Sequence, residues 1–378
     1  MLFTWEHLGV LLPKVGDFVD RPHRAHVPGD SAQSDFFLPA AFSMESFFAF
    51  LRLGILTTFQ GGFPMGMHPR RLRAGTAYAQ TQRTVDRQFL FMPDPVIRNI
   101  IGAAVGRAQQ KAPVSIYWIE FNINHEQCGV AALSDSKEHL NNLVEWKRNF
   151  HRILAEEVNR HLGREGALFS SPPRMVECLD NESLEQQFFY AMTNPVKDGL
   201  VETVSEWKGF SSYPALAFGK RETFTYFDRT MWHKSGGKRK NLPLERFVKK
   251  VSIEYTPLPQ HAELKPDARR AHIRREVRAL ENRFRHERET VGKTAMGAAA
   301  LSRLDQRSRP KNAPDRTKKP LCHASSKERA QQYKEEFLIY LHAYRIASAA
   351  YRSGAHDAVF PDGAIRPPLI VVCGMGLT

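Results

Sequence analysis

Apolar and polar positions change their spacing several times along the chain, and each change marks a new element. Gly75–Val85 alternates with the two-residue period of a strand. Asp94, between Pro93 and Pro95, is placed to cap a helix over Val96–Gln110, where Val96, Ile97, Ile100, Ile101 and Val105 keep helical spacing. Val114–Ile123 is almost continuously apolar, and Cys128–Leu133 reads as its neighbour; such runs suit strands covered on both faces. Lys137–Leu162 returns to helical spacing through Leu140, Leu143, Val144, Phe150, Ile153, Leu154, Val158 and Leu162, and Gly163 closes it. Arg174–Leu179 is a short strand. Asp180 or Asn181 then caps a helix over Leu184–Thr193, which Pro195 is expected to stop. This order predicts an α+β layer fold, an antiparallel sheet with helices packed on it.

The two ends read differently. Residues 1–65 have weak periodicity and form an extension, with Met65 and Met67 just before the regular pattern begins. Residues 66–235 make the domain, and 236–378 form a basic, mainly helical region. That region holds helices over Asp267–Val291 and Lys327–Tyr351, separated by a basic linker at Ser302–Pro320. No internal repeat is evident.

Composition narrows the partner. The 378 residues carry a formal charge of +14, which points to an anionic partner. Lys238–Lys319 alone has 23 Lys/Arg against 10 Asp/Glu, nearly the whole excess. Nucleic acid fits that concentration, because no lipid-anchor motif accompanies it and the apolar run Phe47–Phe59 is too short to span a bilayer. Four scattered cysteines without a C-x-x-C pair read as reduced thiols of a soluble cytoplasmic protein, nucleoid-associated when DNA-bound. Gly292-Lys293-Thr294 is not a phosphate-binding loop, since Glu287 stands where that motif needs glycine.

The candidate chemistry lies in two short stretches. His125 and Gln127 are two apart on a strand, hence on one face. Asn194 follows Tyr190 by four on a helix, hence lies one turn below it. One imidazole nitrogen and two amide oxygens suit Mg²⁺ or Mn²⁺ better than Zn²⁺, and Tyr190 offers a nucleophilic hydroxyl beside them. Each residue also has an ordinary reading: Tyr190 beside Phe188 and Phe189 as core, His125 as an interior histidine, Asn194 as a helix C-cap.

From Arg73 to Tyr213 these residues resemble the single-tyrosine HUH transposases, in particular the REP-associated tyrosine transposases. The resemblance is carried by Arg87-Gln88-Phe89-Leu90, Asn124-His125-x-Gln127 and Asn159-Arg160-His161. It continues in Tyr190-x-x-x-Asn194-Pro195-Val196-x-x-Gly199-Leu200-Val201 and Trp207-x-Gly209-Phe210-Ser211-Ser212-Tyr213, with Val359–Gly363 similar to a tail element. It implies a ferredoxin-like HUH domain that nicks single-stranded or hairpin DNA through a 5′-phosphotyrosine on Tyr190. The metal ligands would be His125, Gln127 and Asn194, and the molecule a homodimer. Gln127 replaces the family's second histidine. Glu126 replaces a bulky apolar residue, and its carboxylate must find a cation, a solvated edge or a desolvation cost. Both departures motivate an alternative, a catalytically impaired protein that binds DNA hairpins without cutting them. Arg274, Arg275, Arg278, Arg283, Arg285 and Arg288 are the expected phosphate contacts, with Phe284 between them as a base-stacking candidate.

Overall fold

The computed structural model describes residues 69, 71–171, 174–310 and 320–367; the extension 1–65 and residues 311–319 of the linker lie outside them. In chain order the main elements are β1 (Ala77–Arg83), α1 (Pro95–Lys111), β2 (Ser115–Asn122), β3 (His125–Ala131), α2 (Lys137–His161), β4 (Arg174–Cys178) and α3 (Asn181–Lys197). They continue with α4 (Tyr213–Phe218), β5 (Phe224–Phe227), α5 (Arg229–Lys234), β6 (Val248–Val251), α6 (Pro266–Thr290), α7 (Ala298–Leu301), β7 (Cys322–His323) and α8 (Lys327–Arg352). Asp94 caps α1 as its position predicts, accepting from the Val96 and Ile97 amides at 2.7 and 2.9 Å.

The strands form one sheet in the order β2-β3-β1-β4-β7, and β5 pairs with β6 in a separate hairpin. β1 runs antiparallel to both β3 and β4, while β7 adds to β4 in parallel. The sheet is therefore mixed and not wholly antiparallel as expected, because a two-residue strand from the basic region docks on its edge. At the opposite edge, β2 is covered by the segment around Trp207–Tyr213. Phe121 donates its amide to the Phe210 carbonyl at 3.1 Å, and the Trp207 indole donates to the Phe121 carbonyl at 3.1 Å.

Register assigns the two faces. Arg83 and Asn122 flank His125, and Thr81 and Glu120 flank Gln127, so these six side chains share one face. The other face carries Gln80, Gln82, Glu126 and Cys128, and α1 and α2 cover it. Ile97, Ile101, Trp146, Phe150 and Leu154 pack there against Ile116, Ile119, Phe121 and Val130. On the first face α3 lays Leu184, Phe188, Met192 and Val196 against Ala79 and Trp118, and α6 adds Ile273, Val277 and Phe284. Burial of each such side chain contributes roughly 1.5–3 kcal/mol, enough to hold α3 firmly on the sheet.

Two expectations change, and a third is narrowed. Pro195 lies inside α3 and does not stop it; the helix runs to Lys197, and Gly199 just beyond turns the chain with φ of +69°, the left-handed conformation that glycine adopts freely. Phe284 is a core residue at 7% exposure, so it cannot stack on a base. Glu126 is fully buried, so of the outcomes open to its carboxylate the solvated edge is excluded. Its Oε1 instead accepts hydrogen bonds from His151 Nε2 of α2, at 2.6 Å, and from Gln80 Nε2. No helix among the described residues is long and apolar enough to cross a membrane.

Candidate functional site

His125 opens β3, and Asn124 just before it fixes its ring. The imidazole Nδ1–H donates to Asn124 Oδ1 at 2.9 Å, which leaves the Nε2 lone pair facing α3. Asn124 is itself anchored to the turn after β1, where its carbonyl accepts from the Thr84 amide at 2.9 Å. Two residues on, Gln127 Oε1 points the same way. The amide of Asn194 meets both groups: Nδ2 lies 2.8 Å from His125 Nε2 and 3.0 Å from Gln127 Oε1. The strand pair and the helix residue singled out in the sequence are thus brought into direct contact.

Tyr190 stands one turn before Asn194 on α3, as the spacing requires. At 39% exposure its ring is open to solvent. The Lys197 ammonium lies 4.2 Å from the ring centroid. Burial, and secondarily the guanidinium of Arg83, push His125 down to about 4, so its imidazole is neutral at physiological pH. A neutral imidazole with a free Nε2 lone pair is the form that ligates metal. Around this centre the solvent-facing side chains include Arg83, Tyr190 and Lys197.

No family model matches the chain, and no curated protein matches it. Among solved structures, a REP-associated tyrosine transposase bound to a REP hairpin is similar over 41% of this chain and 87% of that one. The identity is 19% and the TM-score 0.32, too loose a likeness to transfer a fold or a residue.

The six arginines of α6 expected to contact phosphate, out of eight on that helix, divide by their surroundings. Arg288 donates to the Val196 carbonyl at 2.6 Å and to Glu202 at 2.5 Å, so it caps the end of α3. Arg274 donates to the Ala217 carbonyl and lies 5.5 Å from the Phe218 ring centroid. Arg285 is half-buried, 3.7 Å from Glu202. Arg275, Arg278 and Arg283 are exposed.

Four residues near the site had no role assigned from sequence. Arg83 and Asn122 reach it only through strand register, which a single sequence does not display. Lys197 and Asp198 stood inside the quoted motif, and the Asp198 carboxylate accepts from Asn122 Nδ2 at 2.7 Å. Spacing was the available signal for Lys197, seven residues after Tyr190 and so on the same helix face.

Proposed function

We propose that the chain is a DNA strand-cleaving and rejoining enzyme of the single-tyrosine type, acting on single-stranded or hairpin DNA. The observation that carries this reading is the junction of His125, Gln127 and Asn194, with an exposed Tyr190 one helical turn before Asn194. The element order β-α-β-β-α-β, with strands in the order 2-3-1-4, is that of a ferredoxin-like domain, which supports it at the level of fold. The basic region 236–378 supplies the grip on phosphate, chiefly through Arg275, Arg278 and Arg283. A homodimer and a cytoplasmic, nucleoid-associated location belong to the same reading.

In the proposed step the Tyr190 hydroxyl oxygen attacks the scissile phosphorus and gives up its proton. The bond from phosphorus to the 3′-oxygen breaks, and that oxygen leaves as a 3′-hydroxyl after taking a proton. The 5′-phosphate remains esterified to Tyr190, and the reverse reaction rejoins a strand. Arg83 and Lys197 offer positive charge to the incoming phosphodiester. The donor set fits Mg²⁺ or Mn²⁺: two lone pairs already converge on the Asn194 amide, and turning that amide over would present Oδ1 as a third ligand. Such an ion would polarise the phosphate and stabilise charge developing on it.

A second reading follows from the same contact. Asn194 Nδ2 satisfies both acceptors without any ion, so a protein that binds hairpins and does not cut them is also served by this arrangement. The two are separated by incubating the protein with 3′-labelled hairpin DNA and Mn²⁺, then running a denaturing gel. The nuclease reading predicts a labelled protein–DNA adduct that Tyr190→Phe abolishes. Binding without adduct in any divalent metal would support the binding module, and an adduct that survives in Tyr190→Phe would rule out the assigned nucleophile.

A further inference from the structure

A second cluster of metal-ligating groups lies on the other half of α3. Glu185 Oε1 accepts from His261 Nε2 at 2.7 Å and from His272 Nε2 at 3.1 Å, and the three ligand atoms lie within 4.8 Å of one another. Three separate elements supply them: the second turn of α3, a short 3-10 turn at Pro259–His261, and the second turn of α6. His261 is buried, and the other two are half-buried. Phe189 packs edge-on against the His272 ring at 5.9 Å, and the two imidazoles meet edge to face at 4.8 Å. Nine residues separate Glu185 from Asn194, about 13 Å along a helix, so this is a different site from the one beside Tyr190.

We propose that Glu185, His261 and His272 form a binding site for a transition-metal cation of the Zn²⁺ class, which clips α6 to α3. Two imidazoles and one carboxylate are a recognised ligand set for Zn²⁺, whereas the amide-rich centre at His125 favours harder ions. Metal–ligand bonds of about 2.0–2.1 Å in a tetrahedron separate the ligand atoms by roughly 3.3 Å. The observed 2.7 and 3.1 Å would have to open by about 0.6 and 0.2 Å.

Ligation through Nε2 also requires the proton of each ring, His261 and His272, to move to its Nδ1. In the metal-free arrangement His272 Nδ1 accepts from Arg275 Nη2 at 2.8 Å. Arg275 is exposed and pairs with Glu276 Oε1 at 2.9 Å, and that oxygen stands 3.8 Å from Nδ1, placed to take the new hydrogen bond. A carboxylate behind a ligating histidine is the usual outer partner in such sites. Three protein ligands leave a fourth position for water.

The test is titration of the EDTA-stripped full chain with Co²⁺, followed by its visible absorption bands, and then displacement by Zn²⁺. The expected result is one Co²⁺ taken up with tetrahedral-type bands and released by Zn²⁺. Glu185→Gln and His272→Ala should each weaken the binding that the tetrahedral bands report at least ~10–100-fold, while His125→Ala leaves those bands unchanged. Glu185→Gln keeps an oxygen that can accept from both imidazoles, so its fold should survive, and circular dichroism checks this for each variant. His272→Ala, at a half-buried position, provides the second reading if one variant does not fold. Absence of Co²⁺ or Zn²⁺ binding at micromolar metal would overturn the site, leaving a hydrogen-bonded clamp. So would binding unchanged in both folded variants, or binding lost in His125→Ala.

Discussion

Single residues on the site face show how burial sets chemistry. Glu120 pairs in register with Gln127, and its Oε1 accepts from the Ser212 amide and hydroxyl at 2.9 and 2.7 Å. Desolvation nonetheless outweighs these bonds and pushes its pKa up to about 8. Below the ordinary carboxylate range the folded and unfolded chains both hold the proton, and the site costs nothing. Between about 4.5 and about 8 the unfolded chain ionises while the folded one does not, so stability falls as pH rises. Glu120→Gln should remove that decline and raise stability at pH 8–9 by on the order of a few kcal/mol, measured by urea unfolding across pH. An unchanged pH slope would show that Glu120 ionises without penalty. Little of this was readable beforehand, because the environment of Glu120 comes from Ser211 and Ser212, some ninety residues away. Glu126 is the same case: its hydrogen-bond partner, His151, lies on a helix where no spacing advertised it.

At the scale of elements, local periodicity located the strands and helices well, and it failed where tertiary contacts or short length decided. Asp94 and Asp180 cap the helices that their positions suggested, and Gly163 follows α2 with φ of +60°. Pro195 misled because its missing N–H falls in the last turn, where packing of Val196 in the core holds the helix for two more residues. The β5–β6 hairpin was missed, since two four-residue strands lie about twenty residues apart and the second is half lysine. That hairpin leaves a testable mark on α1. A Cβ at Gly102 would stand 2.3 Å from the Phe224 ring, well inside contact distance. Gly102→Ala should therefore cost ~1–3 kcal/mol despite its better helix propensity, read as a lower midpoint in chemical denaturation. A stabilised variant would mean that β5 is not seated on α1.

For the whole molecule, the concentration of charge was legible from composition, but its division between internal and outward arginines was not. Arg288 and Arg274 spend their donors on carbonyls at the ends of α3 and α4, whereas Arg275, Arg278 and Arg283 face solvent. Replacing the exposed three together with alanine should weaken hairpin DNA binding at all sequences. It should also lower the slope of log affinity against log salt by up to about 3, near one per lost phosphate contact. An unaltered slope would move the DNA path off α6. The central claim, that Tyr190 becomes esterified to a 5′-phosphate, is tested most directly by peptide mass spectrometry. After reaction with hairpin DNA and Mn²⁺ and digestion of the DNA, the account predicts a nucleotide remnant on the peptide containing Tyr190. Cleaved DNA with that peptide unmodified, or the remnant on another residue, would contradict it.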